Sequence, residues 1–360
     1  MQRNPHNNRG PIAIIACDAG KPFAERLVKN LDELLKSGQE QPAAPVETFG
    51  LVKSREESFP NTEIMPTIDE SIRGCDLYIV QDCENKVQKK SVDQQLRALK
   101  TMIDAAWRAD AHYITAVIPY FPYSRQDRAQ GREPITASMV SREIEDAGAR
   151  HVMTLDVHNE AIAGFFRRAT FENLRASIAL MPYIKDTIGE DDLVVVSPDA
   201  GGTRRAEYYA KHLHTPLGII HKSRDYSCGA IESMVLLEPP SGVNNKKVLL
   251  IDDMIATAGT LQKAVELLRN HGAKDISFAC SLPLFTKPAI KRIEEAVVAG
   301  QLNRVISTDA VFHGGDAFKT AHPWYHEVSV APLFAEAIYR MNKNRSISEL
   351  LSFSHYKKPA

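Results

Sequence analysis

No run of this 360-residue chain approaches the roughly 18 consecutive apolar residues that a membrane-crossing helix requires, so no membrane partner is expected. An excess of charge is also missing. Lys and Arg number 44 against 45 Asp and Glu, a formal net charge of −1. That balance excludes bulk attraction to nucleic acid or to an anionic lipid surface. It leaves room for a local cluster of cations around a phosphorylated small molecule. Cysteine is scarce, and Cys17, Cys75, Cys83, Cys228 and Cys280 lie far apart with no C-x-x-C pair. An odd, scattered set predicts neither a disulfide framework nor a zinc site, and points to a reducing compartment. The polar segment Met1–Pro11 lacks the apolar stretch of a signal peptide, so the chain reads as cytoplasmic. Also absent are a strand ending in G-x-G-x-x-G and a glycine loop closed by G-K-[ST], which excludes the two commonest nucleotide-loop fingerprints.

What is present is a recurring alternation. Short β-branched runs at Ile12–Ala16, Leu77–Gln81, Tyr113–Pro119 and Val152–Leu155 form one set of strands. Runs at Leu193–Ser197, Leu217–Ile220, Lys247–Ile251, Ile276–Ser281 and Val305–Thr308 form a second. Helical spacing falls between them. Phe23, Leu27, Leu31 and Leu34 share a face of Pro22–Lys36; Leu96, Leu99, Met102, Ile103 and Ala106 recur at helical intervals; Leu261, Ala264, Val265 and Leu268 line Thr260–Asn270, closed by Gly272. Strands alternating with helices predict mostly parallel sheets flanked by helices, and two sets predict two α/β domains. The boundary is expected near Thr170–Ala176, giving domains at 1–172 and 173–334. A C-terminal helix and tail, 335–360, is expected to pack back on the first domain. Gln39–Val46 reads as a surface loop, and the tail from about Asn342 is polar.

The most informative segment is Lys247–Thr260, K-V-L-L-I-D-D-M-I-A-T-A-G-T. A buried strand is expected to end in Asp252 and Asp253. Ala256, Thr257, Ala258, Gly259 and Thr260 then offer backbone N–H groups, two hydroxyls and a helix N-terminus, together an anion site. In open α/β sheets ligands bind at the carboxyl ends of strands. Acids placed to accept from a sugar diol, one loop away from an anion cradle, describe a ribose 5-phosphate. The plainer alternative is a pair of strand-end acids followed by Thr260 as a helix N-cap.

The loop resembles the phosphoribosyl-diphosphate motif shared by phosphoribosyltransferases and ribose-phosphate diphosphokinases. Further strings select the diphosphokinase family. They are V-I-P-Y-F-P-Y-S-R-Q-D-R at Val117–Arg128, R-E-P-I-T-A at Arg132–Ala137, D-V-H-N-E-A-I-A-G-F-F at Asp156–Phe166 and V-S-P-D-A-G-G-T-R at Val196–Arg204. The resemblance spans about Ile12 to Leu351. It implies an α/β fold of two phosphoribosyltransferase-like domains, and transfer of a diphosphate from ATP to the anomeric hydroxyl of ribose 5-phosphate. It implies ATP contacts at Arg125, Gln126 and Asp127, and at Asn61, Thr62 and Glu63, the last group supplied by a neighbouring subunit. It implies a magnesium cofactor facing His158 and Asp199, although His158 alone would read as a hydrogen-bonded strand-end histidine and imidazole is an unusual partner for so hard an ion. Lys222 and Arg224 match the catalytic lysine and arginine, on a flexible loop from Lys222 to about Val243; in isolation K-S-R is ordinary surface. The implied assembly is a homo-oligomer, dimer-based and often a hexamer.

The sequence departs from the family at four places. Ala256 replaces the third acid of D-D-x-x-D-T, Asn61-Thr62-Glu63 replaces D-G-E, Ser223 interrupts a basic triplet, and Leu282 replaces the histidine of T-H-P. These changes put sugar positioning, nucleotide choice, phosphate activation and ADP inhibition in question. They also leave open a regulatory paralogue lacking activity. A phosphoribosyltransferase, which would need a base-binding hood and no R-Q-D-R, is the remaining alternative.

Overall fold

The computed structural model describes residues 9–36, 48–224 and 231–351, the side chains of 48, 49, 223, 224 and 231–233 excepted. Gln39–Val46 and Cys228 therefore lie outside the described residues. The chain divides into two compact units. The first is assembled from three stretches, Met1–Ile178, Asp309–Gly314 and Val330–Ala360; the second comprises Ala179–Thr308 and Gly315–Ser329.

In the first unit the strands are β1 (Ile12–Ala16), β2 (Thr48–Leu51), β3 (Ser54–Ser58), β4 (Ile64–Ile68), β5 (Asp76–Val80), β6 (Tyr113–Val117), β7 (His151–Leu155) and β8 (Thr170–Leu174). Six form one wholly parallel sheet in the order β2-β1-β5-β6-β7-β8. β3 and β4 pair antiparallel as a separate two-stranded ribbon. Every residue of β1 and β5 is buried, as a parallel sheet covered on both faces demands. Helices α1 (Lys21–Lys36), α2 (Val92–Arg108) and α3 (Thr136–Asp146) connect the strands. α2 starts on a capping box in which Ser91 and Gln94 satisfy each other's backbone N–H. Leu96, Leu99, Met102 and Ile103 of α2 and Val140 and Ile144 of α3 share one core with Leu77, Ile79, Ile114 and Ala116 of the sheet.

α4 (Ser177–Ile188), most of which belongs to the second unit, leads into β9 (Leu193–Ser197), α5 (Thr203–His212), β10 (Leu217–Arg224), β11 (Ile231–Leu237), β12 (Lys247–Ile255) and α6 (Gly259–Asn270). Then come β13 (Asp275–Pro283), α7 (Ala289–Val298), β14 (Arg304–Thr308), α8 (Asp316–Ala321) and β15 (Tyr325–Val328). The seven strands lie in the order β11-β10-β9-β12-β13-β14-β15, parallel throughout except for β11 on β10. Leu261, Ala264, Val265 and Leu268 of α6 and Ile293 and Ala296 of α7 pack with Val248, Leu250, Ile276, Phe278 and Val305.

The chain then returns to the first unit as α9 (Ala331–Asn342) and α10 (Ile347–Leu350). α9 packs along α1, and the buried rings of Phe23 and Phe334 meet edge to face, centroids 5.2 Å apart. No helix among the described residues is long and apolar enough to cross a membrane.

Three sequence expectations are revised. Thr170–Leu174, at the expected boundary, is an edge strand of the first sheet. β10 continues through Lys222 to Arg224 and pairs with β11, so the segment expected as a loop contains both strands of a hairpin, 225–230 excepted, and leaves the sheet only after Leu237. β12 runs three residues past Asp252 to Ile255, because Met254 and Ile255 keep their pairing with Leu282 and Pro283 of β13.

Candidate functional site

Asp252 and Asp253 therefore lie within β12 rather than at its end. Alternation sends their side chains to opposite faces of the sheet. Asp253 is buried and Asp252 half-buried, with the Asp252 carboxylate accepting the Asp253 amide at 2.9 Å. Burial raises the pKa of Asp252 well above the usual carboxylate range. The negative charges of Asp253 and Asp199 push the same way, while the Asp253 amide and Arg205 oppose them.

Beyond Ile255 the chain turns through Ala256, Thr257 and Ala258 into α6. The N-cap is Ala258, not Thr260, and no side chain caps the helix. A helix has four N–H groups at its start without intrahelical partners; here no serine, threonine or acid competes for them. Thr257 is exposed, and Gly259 and Thr260 occupy the first two helical positions. Ala258 adopts the left-handed conformation, φ 59°, which costs a residue with a Cβ about 1 kcal/mol. The turn is held on its far side by Arg292 of α7, whose Nη1 donates to the Thr257 carbonyl at 3.0 Å.

In the same unit Asp199 follows β9 and precedes α5. Its Oδ1 accepts from the Gly202 amide at 2.9 Å and its Oδ2 from Lys222 Nζ at 3.2 Å. The Lys222 side chain is only 5% exposed, against 35% for Asp199. Two residues selected for different roles thus form one ion pair. Lys222 is also backbone-paired with Met234, which fixes the direction from which it reaches the acid. Arg224 ends β10 opposite Ile231; its side chain lies outside the described residues.

The first unit contains a cleft of about 460 Å³ lined by Arg125, Gln126, Asp127, Arg128, Gln130, Glu133, Pro134, His158 and Asn159. Four sequence-selected residues therefore share one wall, although His158 follows a different strand. Tyr123, at φ 60°, turns the chain after Phe121, and the Gln126 amide closes that turn on the Tyr123 carbonyl at 2.9 Å. Gln126 Oε1 accepts from Thr136 at the start of α3 at 2.6 Å. Asn159 donates to Asp127 at 2.5 Å while accepting from the Ala161 amide at 3.0 Å. Cationic guanidinium groups beside amides and a carboxylate suit a ligand with phosphates at one end and a hydrogen-bonding base at the other.

Asn61, Thr62 and Glu63 are not in that cleft. They form the exposed tip joining β3 and β4, with Thr62 at φ 72° and the Glu63 amide bonded to Asn61 Oδ1 at 3.2 Å. Thr62 lines a different cavity of the same unit, beside Asp93, Tyr123 and Thr136. Among the described residues no group of three or more His, Cys, Asp or Glu side chains is arranged to hold a metal.

Sequence reasoning missed Arg292 and Asn159. Arg292 carries no local signal, because its partner is 35 positions away. Asn159 stands beside His158 within a quoted motif, and its tie to Asp127 depends on two separate loops meeting.

The chain is similar to known proteins over most of its length. Residues 12–148 match the N-terminal domain of ribose phosphate pyrophosphokinase, and residues 171–313 match the phosphoribosyl transferase domain. A ribose-phosphate pyrophosphokinase of Listeria ivanovii is 41% identical over 83% of this chain and 89% of its own length. One from Corynebacterium ammoniagenes is 35% identical over 95% of this chain and 97% of its own. The crystal structure of phosphoribosylpyrophosphate synthetase from Mycobacterium smegmatis superposes with a TM-score of 0.78 at 34% identity, covering 93% of this chain and 99% of that one.

Proposed function

Since this chain belongs to the ribose-phosphate pyrophosphokinase family, we infer that it transfers the diphosphate of ATP to the anomeric hydroxyl of ribose 5-phosphate, releasing AMP and 5-phosphoribosyl 1-diphosphate. The observation that carries the reading is the start of α6, a helix N-terminus with no side-chain cap, opened by a hydroxyl-bearing turn and preceded by a half-buried acid. Amides of the turn and the Thr257 and Thr260 hydroxyls would grip the 5-phosphate. Asp252, the half-buried acid of the pair, would receive the ribose hydroxyls, while Asp253 points to the other face of the sheet.

The cleft at Arg125–Asp127 would hold ATP, the guanidinium facing phosphates and the amide of Gln126 facing the base. Phosphoryl-type transfer needs alignment and charge stabilisation more than covalent help. Lys222 and Arg224 would supply that charge. For Lys222 this means exchanging Asp199 for phosphate oxygens, a short movement for a flexible four-carbon stem.

The donor set suits magnesium. This ion takes oxygen ligands, keeps several waters and is often held by one or two carboxylates together with substrate phosphates. One part-exposed carboxylate, Asp199, meets that need without a protein cage. Asp199 would hold the ion directly or through a bound water, and His158 is a second candidate ligand on the wall of the Arg125–Asp127 cleft. When bound, magnesium would neutralise phosphate charge and orient the diphosphate. The exposed ribbon tip at Asn61–Glu63, separate from the cleft lining, favours its use in a neighbouring copy's ATP site within a homo-oligomer.

The test is direct. Purified protein incubated with ATP, magnesium and ribose 5-phosphate should form equal amounts of AMP and 5-phosphoribosyl 1-diphosphate. Absence of both products under saturating substrates, in a correctly folded sample, would refute the reading.

A further inference from the structure

We propose that Arg292 is a positioning residue for the phosphate turn, holding the 257–258 peptide so that its amide faces the bound anion and its carbonyl does not. The inference rests on the reading that residues 257–260 hold the phosphate of ribose 5-phosphate.

Among the described residues, no other hydrogen bond holds the peptide between Thr257 and Ala258. Ala258 sits at φ 59°, and no side chain caps α6. Rotating the peptide between Thr257 and Ala258 by half a turn would exchange an N–H for a C=O at the mouth of the site. An oxygen lone pair aimed at a phosphate would then replace a donor, reversing the sign of that local interaction. Arg292 Nη1, 3.0 Å from the Thr257 oxygen, draws the carbonyl toward α7 and opposes the rotation.

The same guanidinium accounts for Gly259. A Cβ built there would lie 3.2 Å from Arg292 Nη1, tighter than ordinary contact, while Gly259 has none of the positive φ that usually selects glycine. Glycine here leaves room for the approach of Arg292 and is not required by its backbone conformation. The placement of Arg292 points the same way. It is the fourth residue of α7, in a first turn that carries no acid. A cation there is disfavoured by the helix dipole, so α7 itself gains little from it. Its benefit is at the neighbouring turn, where a fixed positive charge also favours an anion.

Arg292→Gln and Arg292→Met test the proposal, with Arg292→Lys as the conservative variant. Removing the guanidinium should raise KM for ribose 5-phosphate about tenfold, the effect of losing one charge-assisted hydrogen bond. KM for ATP and kcat should stay near the parent values, and Lys should recover part of the loss. Met preserves helix propensity and the apolar stem, so it provides the readout if the Gln variant does not fold. An unchanged ribose 5-phosphate KM in the folded removal variant overturns the proposal, as does a parallel loss in kcat and ATP KM. Thr260→Ala separates this from failure of the underlying reading. If Thr260→Ala raises the ribose 5-phosphate KM and removing Arg292 does not, only the positioning role falls. If neither raises it, the turn is not the phosphate site.

Discussion

Lys222 donates to Asp199 across 3.2 Å, with the lysine almost fully buried and the acid partly open to solvent. The pair gives the lysine a resting partner beside the segment that leads into α5. Two residues proposed for separate roles are thereby coupled before any substrate arrives.

Lys222→Ala should lower kcat by about 100-fold or more, the usual effect of deleting one transition-state cation. ATP binding, followed by calorimetry, should change little. Turnover that survives the substitution would remove Lys222 from the chemistry.

Gly259→Ala should cost little stability, under about 1 kcal/mol, because the neighbour it meets is the movable end of Arg292. It should nevertheless raise the ribose 5-phosphate KM. The two positions act through one contact, so Gly259→Ala combined with Arg292→Gln should fall well short of additive in a double-mutant cycle on KM.

A buried carboxyl and a half-buried imidazole in the first unit make opposing pH contributions. Burial pushes the Asp82 carboxyl up to about 7, opposed by the amides of Phe312 and Glu84 that donate to it at 2.8 and 2.9 Å. The folded state therefore holds this proton more firmly than the unfolded chain, and its stabilising contribution is lost as pH rises through that range. Burial pushes His151 down to about 4, with the positive charges of Arg9 and Arg150 adding to the effect. There the unfolded chain binds the proton more firmly, and stability is lost as pH falls from about 6.5 toward 4. Asp82→Asn should remove one contribution that opposes that of His151. Urea midpoints measured between pH of about 4.5 and 6.5 should then climb more steeply with pH than in the parent. Equal slopes would mean that Asp82 is already ionised across the window.

Arg9 forks onto Asp76 at 3.0 and 3.1 Å, and Asp76 also accepts from Tyr78 and Asn342 at 2.9 and 3.1 Å. The carboxylate is completely buried. Arg9→Ala strands it and should cost about 3 kcal/mol in denaturant unfolding. A loss below about 1 kcal/mol would show that the tyrosine and asparagine suffice.

Nine strands were legible in the sequence because each is a run of β-branched and apolar residues, most of them buried on both faces, as at Ile12–Ala16 and Leu193–Ser197. The ribbon was not, since Ser54–Ser58 reads S-R-E-E-S and is held by backbone pairing rather than by an apolar face. β8 escaped for a related reason: only its last residue, Leu174, is buried, which made the segment resemble a boundary. The run of β12 beyond the acids was hidden because Asp252 and Asp253 signal a strand end locally, while pairing with β13 decides otherwise. In the site, the α6 turn was legible from spacing alone. The gathering of Arg125, Gln126, Asp127 and His158 was legible only through resemblance, and neither the partner of Lys222 nor the grip of Arg292 leaves any trace in neighbouring residues.

The seating of Phe334 against Phe23 has a consequence for biosynthesis. Emerging from the ribosome, α1 presents Phe23 early, but α9 must wait until more than 300 further residues have been translated. The first sheet can form meanwhile, yet the helix lying on it stays uncovered until translation is nearly complete. Domain-by-domain folding during synthesis, the common route for multidomain chains, is therefore closed to this half of the molecule. A nascent chain stalled or clipped before Ala331 would carry an apolar helix face for chaperones to bind.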